Sequence, residues 1–522
     1  MADPLELFST ARAEYGRLIG AFYEAGYYAP QISVRIDGQE AADISTLSPP
    51  KSIGEIVVSM VPGPAFSFGQ AQIAPLAEGT DLPAAFARGQ PAQSTVIRDA
   101  TGSAVDRWRA KGHAKAAPTG QTISARHPEQ VLDVAITLSP GPRLRFGDLR
   151  PEGQQAVRPK RIVEIAGLPT GEVFDPEAMD RATARLRDTG TFSSVALREA
   201  DTPNPDDTLD ISASVVEAPP RRIGAGLEYD TERGAKLTGF WLHRNLLGGA
   251  ERFRVEGMID GLGLYGGGLD YGLTLDFARP ATFTPDTTFT LGAVLETQSE
   301  DDFDAQRIRV DMGLVHRYSD TLTVSGGVGL LVERSDFGPG FGIRRDYQLA
   351  LLPLDAMWDR RDDATDPTRG ISLYASLTPF YGTSGTGAGL HGTADLRGYY
   401  PLGENVVLAG RAQMGAVYGP SLDGTPRDFL FYSGGSATVR GQPYRSLDVV
   451  SGGVTSGGQG FAATSAELRL RATKKLGVAA FVDAGYVSEG AFTGASDWHA
   501  GAGLGLRYDT VVGPLRLDIG LP

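Results

Sequence analysis

The stretch Phe431 to Leu447, FYSGGSATVRGQPYRSL, decides how the rest of this chain is read. It places Arg440 between Val439 and Gly441, inside a segment from about Gly419 to about Gly460 that carries neither the period of a strand nor that of a helix. A patternless connection of roughly 40 residues far exceeds an ordinary loop, so it is either functional or disordered. Composition argues against disorder. Phe431, Tyr432, Val439, Tyr444 and Leu447 are interleaved with Gly434, Gly435 and Gly441, which suits a compact loop packed on a wall. On the loop alone, a glycine-rich surface loop with an incidental arginine stays open; the flanking chain decides.

That flanking chain alternates. After Ala218-Pro219-Pro220 the helical signal stops, and apolar and charged residues then take opposite faces at period two. Ile308, Val310, Met312 and Leu314 share one face while Arg307, Arg309 and Asp311 share the other; Ala466, Leu468 and Leu470 oppose Glu467, Arg469 and Arg471 in the same way. A barrel wall between lipid and a polar lumen needs this pattern, although a soluble sandwich with a charged outside also carries it. Strands are expected to begin near Arg222, Ala235, Glu251, Gly267, Thr287, Gln306, Leu322, Tyr347, Gly370, Leu390 and Val406. After the long loop they resume near Thr464, Gly477, Ala500 and Pro514. That is fifteen strands, long and joined by glycine-rich turns, as a large up-and-down antiparallel barrel of the sixteen-stranded type requires. Bacterial single-chain barrels have an even number, so the count predicts that a closing strand is lacking. Ile223, Leu227 and Tyr229 of the first strand and Leu515, Leu517 and Ile519 of the last would then face each other across a lateral seam. The gap would be about one strand wide, roughly twice the ~4.8 Å interstrand spacing.

Ahead of the barrel lies a repeat. Pro62-Gly63-Pro64 and Phe68-Gly69 return as Pro140-Gly141-Pro142 and Phe146-Gly147, and Gly112 returns as Gly190, each 78 residues on. Each unit reads as strand, helix, helix, strand, strand; the third is clearest, with Asp175 capping a helix that has Pro176 at its first position. The first unit lacks its opening strand and helix. The expected organisation is α+β modules at 1–63, 64–142 and 143–220, followed by an all-β barrel at 221–522 with a lumen loop at 420–460. A tandem of small α+β domains with no transport role fits the periodicity equally.

Composition narrows the chemistry. The 522 residues include no Cys, which removes disulfides, zinc–thiolate sites and thiol catalysis, and the charge of -14 is dispersed, which gives no reason to expect nucleic acid as a partner. The six His are scattered, without metal-ligand spacing, and Gly261 to Gly266 meets a loose Gly-x-Gly-x-x-Gly pattern only as a hairpin turn between strands. Asp359, Asp362 and Asp363 beside Arg360 and Arg361 read as a salt-bridged rim rather than a cation site. No catalytic residue, cofactor or metal is assigned. Met1 opens onto a helical pattern with no secretory signal, and no apolar run approaches the ~18 to 20 residues of a spanning helix.

Several of these motifs together resemble a known family. Val439-Arg440-Gly441, preceded by Gly434-Gly435 and followed by Tyr444-Arg445-Ser446-Leu447, looks like the sixth extracellular loop of the TamA/BamA outer-membrane assembly superfamily. His243 to Gly249 resembles that family's early hairpin, Trp358 to Asp362 with Pro367 to Gly370 its mid-barrel turn, Phe481-Val482-Asp483-Ala484-Gly485 its Phe-x-Asp-x-Gly strand, and Gly513 to Leu517 its penultimate strand. The three modules are similar to its polypeptide-transport-associated (POTRA) domains. The resemblance implies that Arg440 docks on Asp483 in the lumen; period two independently turns Phe481, Asp483 and Gly485 inward. It also implies an outer-membrane barrel with periplasmic modules, unfolded outer-membrane protein clients, a lipid bilayer around the wall, and a missing N-terminal signal. Three modules look like the TamA branch, whose partner is TamB-like and anchored in the inner membrane. BamA-type assembly factors and two-partner secretion transporters are the alternatives, and a passive channel is the reading from a different class.

Overall fold

Proline and glycine punctuation cuts the first part of the chain into three small sheets, each with its own helices. The computed structural model describes residues 3–230, 234–263, 268–300, 303–337, 342–384, 386–451, 454–510 and 513–522. Asp3 caps helix α1 (Pro4–Glu24) by accepting the Leu5 N–H at 3.0 Å, and Pro4 stands where no N–H donor is needed. The buried stripe of α1, Phe8 and Ala11, packs with Val34 and Ile36 of strand Gln31–Ile36, which pairs antiparallel with Ile56–Val61. In the second module strand Ser67–Ala74 runs parallel to Val131–Ser139, which pairs antiparallel with Ala117–Arg126. Helix α2 (Ser94–Ala110) lays Ile97, Ala100 and Ala104 into one core with Phe68, Leu132 and Val134. The third sheet has the order Arg145–Glu152, Thr208–Glu217, Phe192–Glu199, and its helices are α3 (Pro159–Ala166) and α4 (Pro176–Asp188).

Two features differ from the sequence expectation. The second module has one helix instead of two: Pro75, Pro83 and Pro91, with Gly79 and Gly89 at positive φ, keep 75–93 from winding into another. The chain also divides into two compact units inside the third module, not at 220. One unit comprises Met1–Arg150, Leu168–Ala182 and Leu197–Ser214; the other comprises Pro151–Gly167, Thr183–Ala196 and Val215–Pro522. Within the second unit three arginines tie segments 151–167 and 183–196 to the barrel turns. Arg161, 5% exposed, donates to the carbonyl oxygens of Pro280 and Ala281, Arg185 donates to both oxygens of Asp286 at 2.7 Å, and Arg317 donates to Asp188 at 2.8 Å.

The barrel is one sheet of sixteen strands. They are β1 (Arg221–Asp230), β2 (Gly234–His243), β3 (Arg252–Leu262), β4 (Asp270–Arg279), β5 (Thr287–Glu300), β6 (Phe303–Arg317), β7 (Leu322–Phe337) and β8 (Ile343–Leu351). Then come β9 (Leu354–Asp359), β10 (Gly370–Gly382), β11 (Gly387–Pro401), β12 (Val406–Tyr418), β13 (Gly460–Arg471), β14 (Leu476–Gly490), β15 (Thr493–Thr510) and β16 (Gly513–Leu521). The strand expected from near Tyr347 is split, because Pro353 has no N–H for the ladder; β8 and β9 both pair with β7 and β10 and share one position. Residues 264–266 of the hairpin turn expected at Gly261 to Gly266 lie outside the described residues, but β3 and β4 pair antiparallel up to Asp260 and Asp270. Outward apolar side chains such as Ile308, Val310 and Met312 are exposed, as a lipid-facing wall requires.

With two strands sharing a position, the sheet has fifteen positions joined by fourteen antiparallel steps. Positions one and fifteen then run in the same direction, so no antiparallel ladder can join β1 to β16. Among the described residues no pairing of any kind joins them.

The separate core of the second module gives a test. Phe68 is 1% exposed and meets Phe86 edge-on at 5.4 Å. Phe68→Ala should destabilise that module by about 3–5 kcal/mol. Limited proteolysis of the full chain in detergent should then cut within 67–139 while the barrel keeps its heat-modifiable gel mobility. Unchanged cleavage would mean that this module does not depend on its own core.

Candidate functional site

The long connection between β12 and β13 lies inside the barrel, fastened to its wall by aromatic and ionic contacts. Near its start, Phe429 and Phe431 bracket His391 of β11, with ring centroids 4.6 and 5.4 Å apart and planes within 23° and 9°. Phe431 also stacks on Phe461 of β13 at 5.7 Å, and Phe380 of β10 meets Phe429 at 5.2 Å. Asp428 pairs with Arg307 of β6, which also holds Glu296 of β5, and the Arg427 N–H donates to Glu333 of β7 at 2.9 Å. Glu333 is 2% exposed, and a carboxylate that deep needs such donors.

Farther along, the loop carries Arg440 to β13, β14 and β16. Its Nε donates to Asp483 Oδ2 at 2.8 Å and its Nη2 to Asp483 Oδ1 at 3.0 Å, a bidentate fork, while its main-chain N–H reaches Oδ2 at 3.0 Å. Nη1 donates to Glu467 at 2.7 Å and to Asp518 at 3.1 Å, and Nη2 also donates to the Ser465 hydroxyl at 3.2 Å. These bonds use all five guanidinium N–H groups. The guanidinium also lies over the Phe481 ring, 3.5 Å from its centroid. Lysine has neither the planar fork nor enough donors to replace it.

The local sequence permits this approach. Val439 is fully buried beside Gly485, where a Cβ would overlap the Ser433 hydroxyl and come within 2.9 Å of a Val439 methyl. A strand residue with any side chain there would hold the loop off the wall. Gly434 donates its N–H to Thr438 Oγ1 at 2.8 Å, Gly435 donates to the Gln442 carbonyl at 3.0 Å, and Gly441 lies against the backbone of Leu521. Tyr444 is half-buried, with the Arg445 guanidinium 5.1 Å from its ring. Beside the latch a polar cavity of about 450 Å³ opens between Arg397, Arg411, Glu467, Arg469 and Arg507.

The motif residues Val439, Arg440 and Gly441 are thus brought together with Phe481, Asp483 and Gly485. Glu467 and Asp518 join them although no motif named either; their inward positions follow from the same alternation that places Asp483. The seam residues are not brought together. Ile223, Leu227 and Tyr229 on β1 and Leu515, Leu517 and Ile519 on β16 are all more than 60% exposed, with no ladder between them among the described residues. At the mid-barrel turn the expected salt-bridged rim reduces to one pair, Arg361 with Asp359. Asp362 instead accepts from the Thr368 hydroxyl and the Thr368, Arg369 and Asp363 N–H groups, and these bonds hold its carboxyl down at about 2. Asp363 likewise closes the turn onto Thr365 and Asp366. Among the described residues no cluster of three metal-binding side chains is present.

Known proteins share this architecture. Residues 245–522 match the Omp85 superfamily domain, and residues 144–218 match the POTRA family described as a surface antigen variable number repeat. The outer membrane protein assembly factor BamA of Nitratidesulfovibrio vulgaris (strain Hildenborough) is 25% identical over 424 residues, covering 76% of this chain and 50% of that protein. The chain therefore spans about half the length of the curated relative it matches. Among solved structures, BamA from Haemophilus ducreyi lacking POTRA domains 1–3 superposes with a TM-score of 0.67 at 16% identity, covering 88% of this chain and 96% of that one. CdiB from Escherichia coli superposes with a TM-score of 0.50 at 14% identity, covering 100% and 95%. Identities this low speak for the fold alone, but the family domain takes in more than half of the chain. The chain belongs to the Omp85 superfamily, as an outer-membrane β-barrel with POTRA modules in the periplasm.

Proposed function

We propose that this protein is an outer-membrane assembly factor that helps insert or secrete autotransporters and other β-barrel clients. The observation that carries the reading is Arg440, held by three carboxylates of the lumen wall, on a loop docked inside the barrel against β13, β14 and β16. Clients are taken up by strand addition to the edges of modules 1–63, 64–142 and 143–220, main-chain groups supplying affinity without sequence readout. They then pass to the seam lined by Ile223, Leu227, Tyr229, Leu515, Leu517 and Ile519. The functional loop is Gly434, Gly435, Val439, Arg440, Gly441 and Tyr444, and its docking strand is Phe481, Asp483 and Gly485. Three modules favour a TamA-type factor with a TamB-like partner anchored in the inner membrane.

Reconstitution tests the class. Proteoliposomes carrying the full chain should speed insertion of an unfolded barrel client over empty liposomes. Steady large conductance in planar bilayers, with no acceleration, would make the protein a passive channel. Recovery of a TamB-like protein with the tagged chain from membranes favours the TamA reading, whereas recovery of outer-membrane lipoproteins favours the BamA reading.

The latch gives a second test. Arg440→Ala leaves Asp483 buried without its counter-charge, while Glu467 keeps Arg469 at 2.8 Å, and removing one partner of a buried pair costs about 3–5 kcal/mol. The variant should expose 431–447 to protease added outside cells and lower client insertion. Arg440→Lys should fall between parent and Ala. Full protection of the loop in Arg440→Ala would assign docking to the aromatic stack alone.

A further inference from the structure

We infer that the lumen cavity beside the latch is a binding site for a small oxyanion, a phosphate or a carboxylate, held by Arg397 and Arg469 with Arg411 beside them. The inference goes beyond the assembly reading and does not rest on it. The cavity, about 450 Å³ in volume, lies wholly within the barrel unit. Across its wall runs the row Tyr399, Ala409, Glu467, one residue from each of β11, β12 and β13. The small central side chain leaves room where its neighbours reach out.

The charge around this space does not balance. Arg397, Arg411, Arg440, Arg469, Arg507 and Arg516 line it against Glu467, Asp483 and Asp518. Asp395, which holds both Arg397 and Arg411, brings the carboxylates to four against six cations. Two cation pairs stand directly opposite each other in the ladders, Arg397↔Arg411 and Arg507↔Arg516, and like charges so placed repel. Nor are the guanidinium donors used up. Arg397 gives Nε and Nη2 to Asp395 at 3.2 and 2.9 Å. Arg469 gives Nε to Glu467 at 2.8 Å, and its guanidinium lies 5.4 Å from the Tyr399 ring centroid. Among the described residues, Nη1 of Arg397 and both Nη groups of Arg469 meet no protein acceptor. A guanidinium with spare N–H groups fits the edge of a phosphate or carboxylate. Low-dielectric walls make surplus positive charge costly and focus its field on the cavity. A bound oxyanion answers both conditions: it accepts the spare donors and offsets the repulsion.

Isothermal titration calorimetry on the full chain in detergent tests this, with inorganic phosphate and citrate as separate probes and sodium chloride as the control at matched ionic strength. Phosphate, citrate or both should bind saturably at one per chain while chloride gives no saturable heat; whichever binds identifies the oxyanion. Arg397→Gln and Arg469→Gln, each first checked for heat-modifiable gel mobility, should weaken that binding about tenfold, the effect of losing one charge-assisted hydrogen bond. A second measurement needs no variant. The bound probe should slow phenylglyoxal modification of Arg397 and Arg469, mapped by mass spectrometry, and leave the exposed Arg98 of α2 at its unprotected rate. Absence of saturable binding by either probe, equal binding of chloride, or equal protection of Arg98 would overturn the inference, as would parental affinity in both folded variants. No client enters either measurement, so such a failure leaves the assembly reading standing.

Discussion

A carboxylate sealed inside a barrel must find a cation, and in this protein the cation arrives on a loop. Asp483 is 1% exposed, and the donors that reach it from Arg440 come from the guanidinium fork and the main chain together. Desolvating ions costs several kcal/mol each, so such a pair adds little to net stability compared with apolar residues, yet breaking it is expensive. This asymmetry suits a latch: the docked state is well defined because every alternative leaves charges buried alone. The neighbouring wall follows the same rule. Asp395 accepts from both Arg397 and Arg411, and Arg411 also donates to the Ala437 carbonyl of the loop at 2.9 Å. Loop and wall share one ionic lattice.

The loop is fastened at two places on different parts of the barrel. Phe429, Phe431 and Asp428 engage β6, β10, β11 and β13, whereas Arg440 engages β13, β14 and β16. The first attachment is largely aromatic and apolar, with Leu422, Leu430, Leu447 and Val449 joining Phe461 and Val487 in one cluster. The second is ionic.

Much of this was legible in the sequence, and the limits have physical causes. Period two separates lumen from lipid faces, so the inward setting of Asp483 and the fifteen strand starts follow from residue order alone. The 78-residue repeat marks modules because proline and glycine turns recur where each sheet ends. Other features depend on distances that residue order does not encode. Glu467 and Asp518 join Arg440 because the stagger between β13, β14, β15 and β16 brings three inward carboxylates to one height, and stagger is a property of the closed sheet. The pairs Asp428–Arg307 and Arg345–Asp423 link the loop to strands more than 70 residues away. The missing second helix of the middle module was readable from Pro75, Pro83 and Pro91, but the repeat outweighed those residues.

The ladders around the seam are unequal. β15 extends from Thr493 to Thr510 and pairs with β14 along nearly its whole length, yet on the other side β16 reaches only 502–510. The stretch 493–501 of β15 also meets the loop. Gln442 donates to the Ala500 carbonyl in this stretch, and the Arg440 carbonyl lies against Gly501, where no Cβ keeps it away. An unbroken backbone ladder would fix loop and strand together for good; a few contacts on a latched loop leave them releasable.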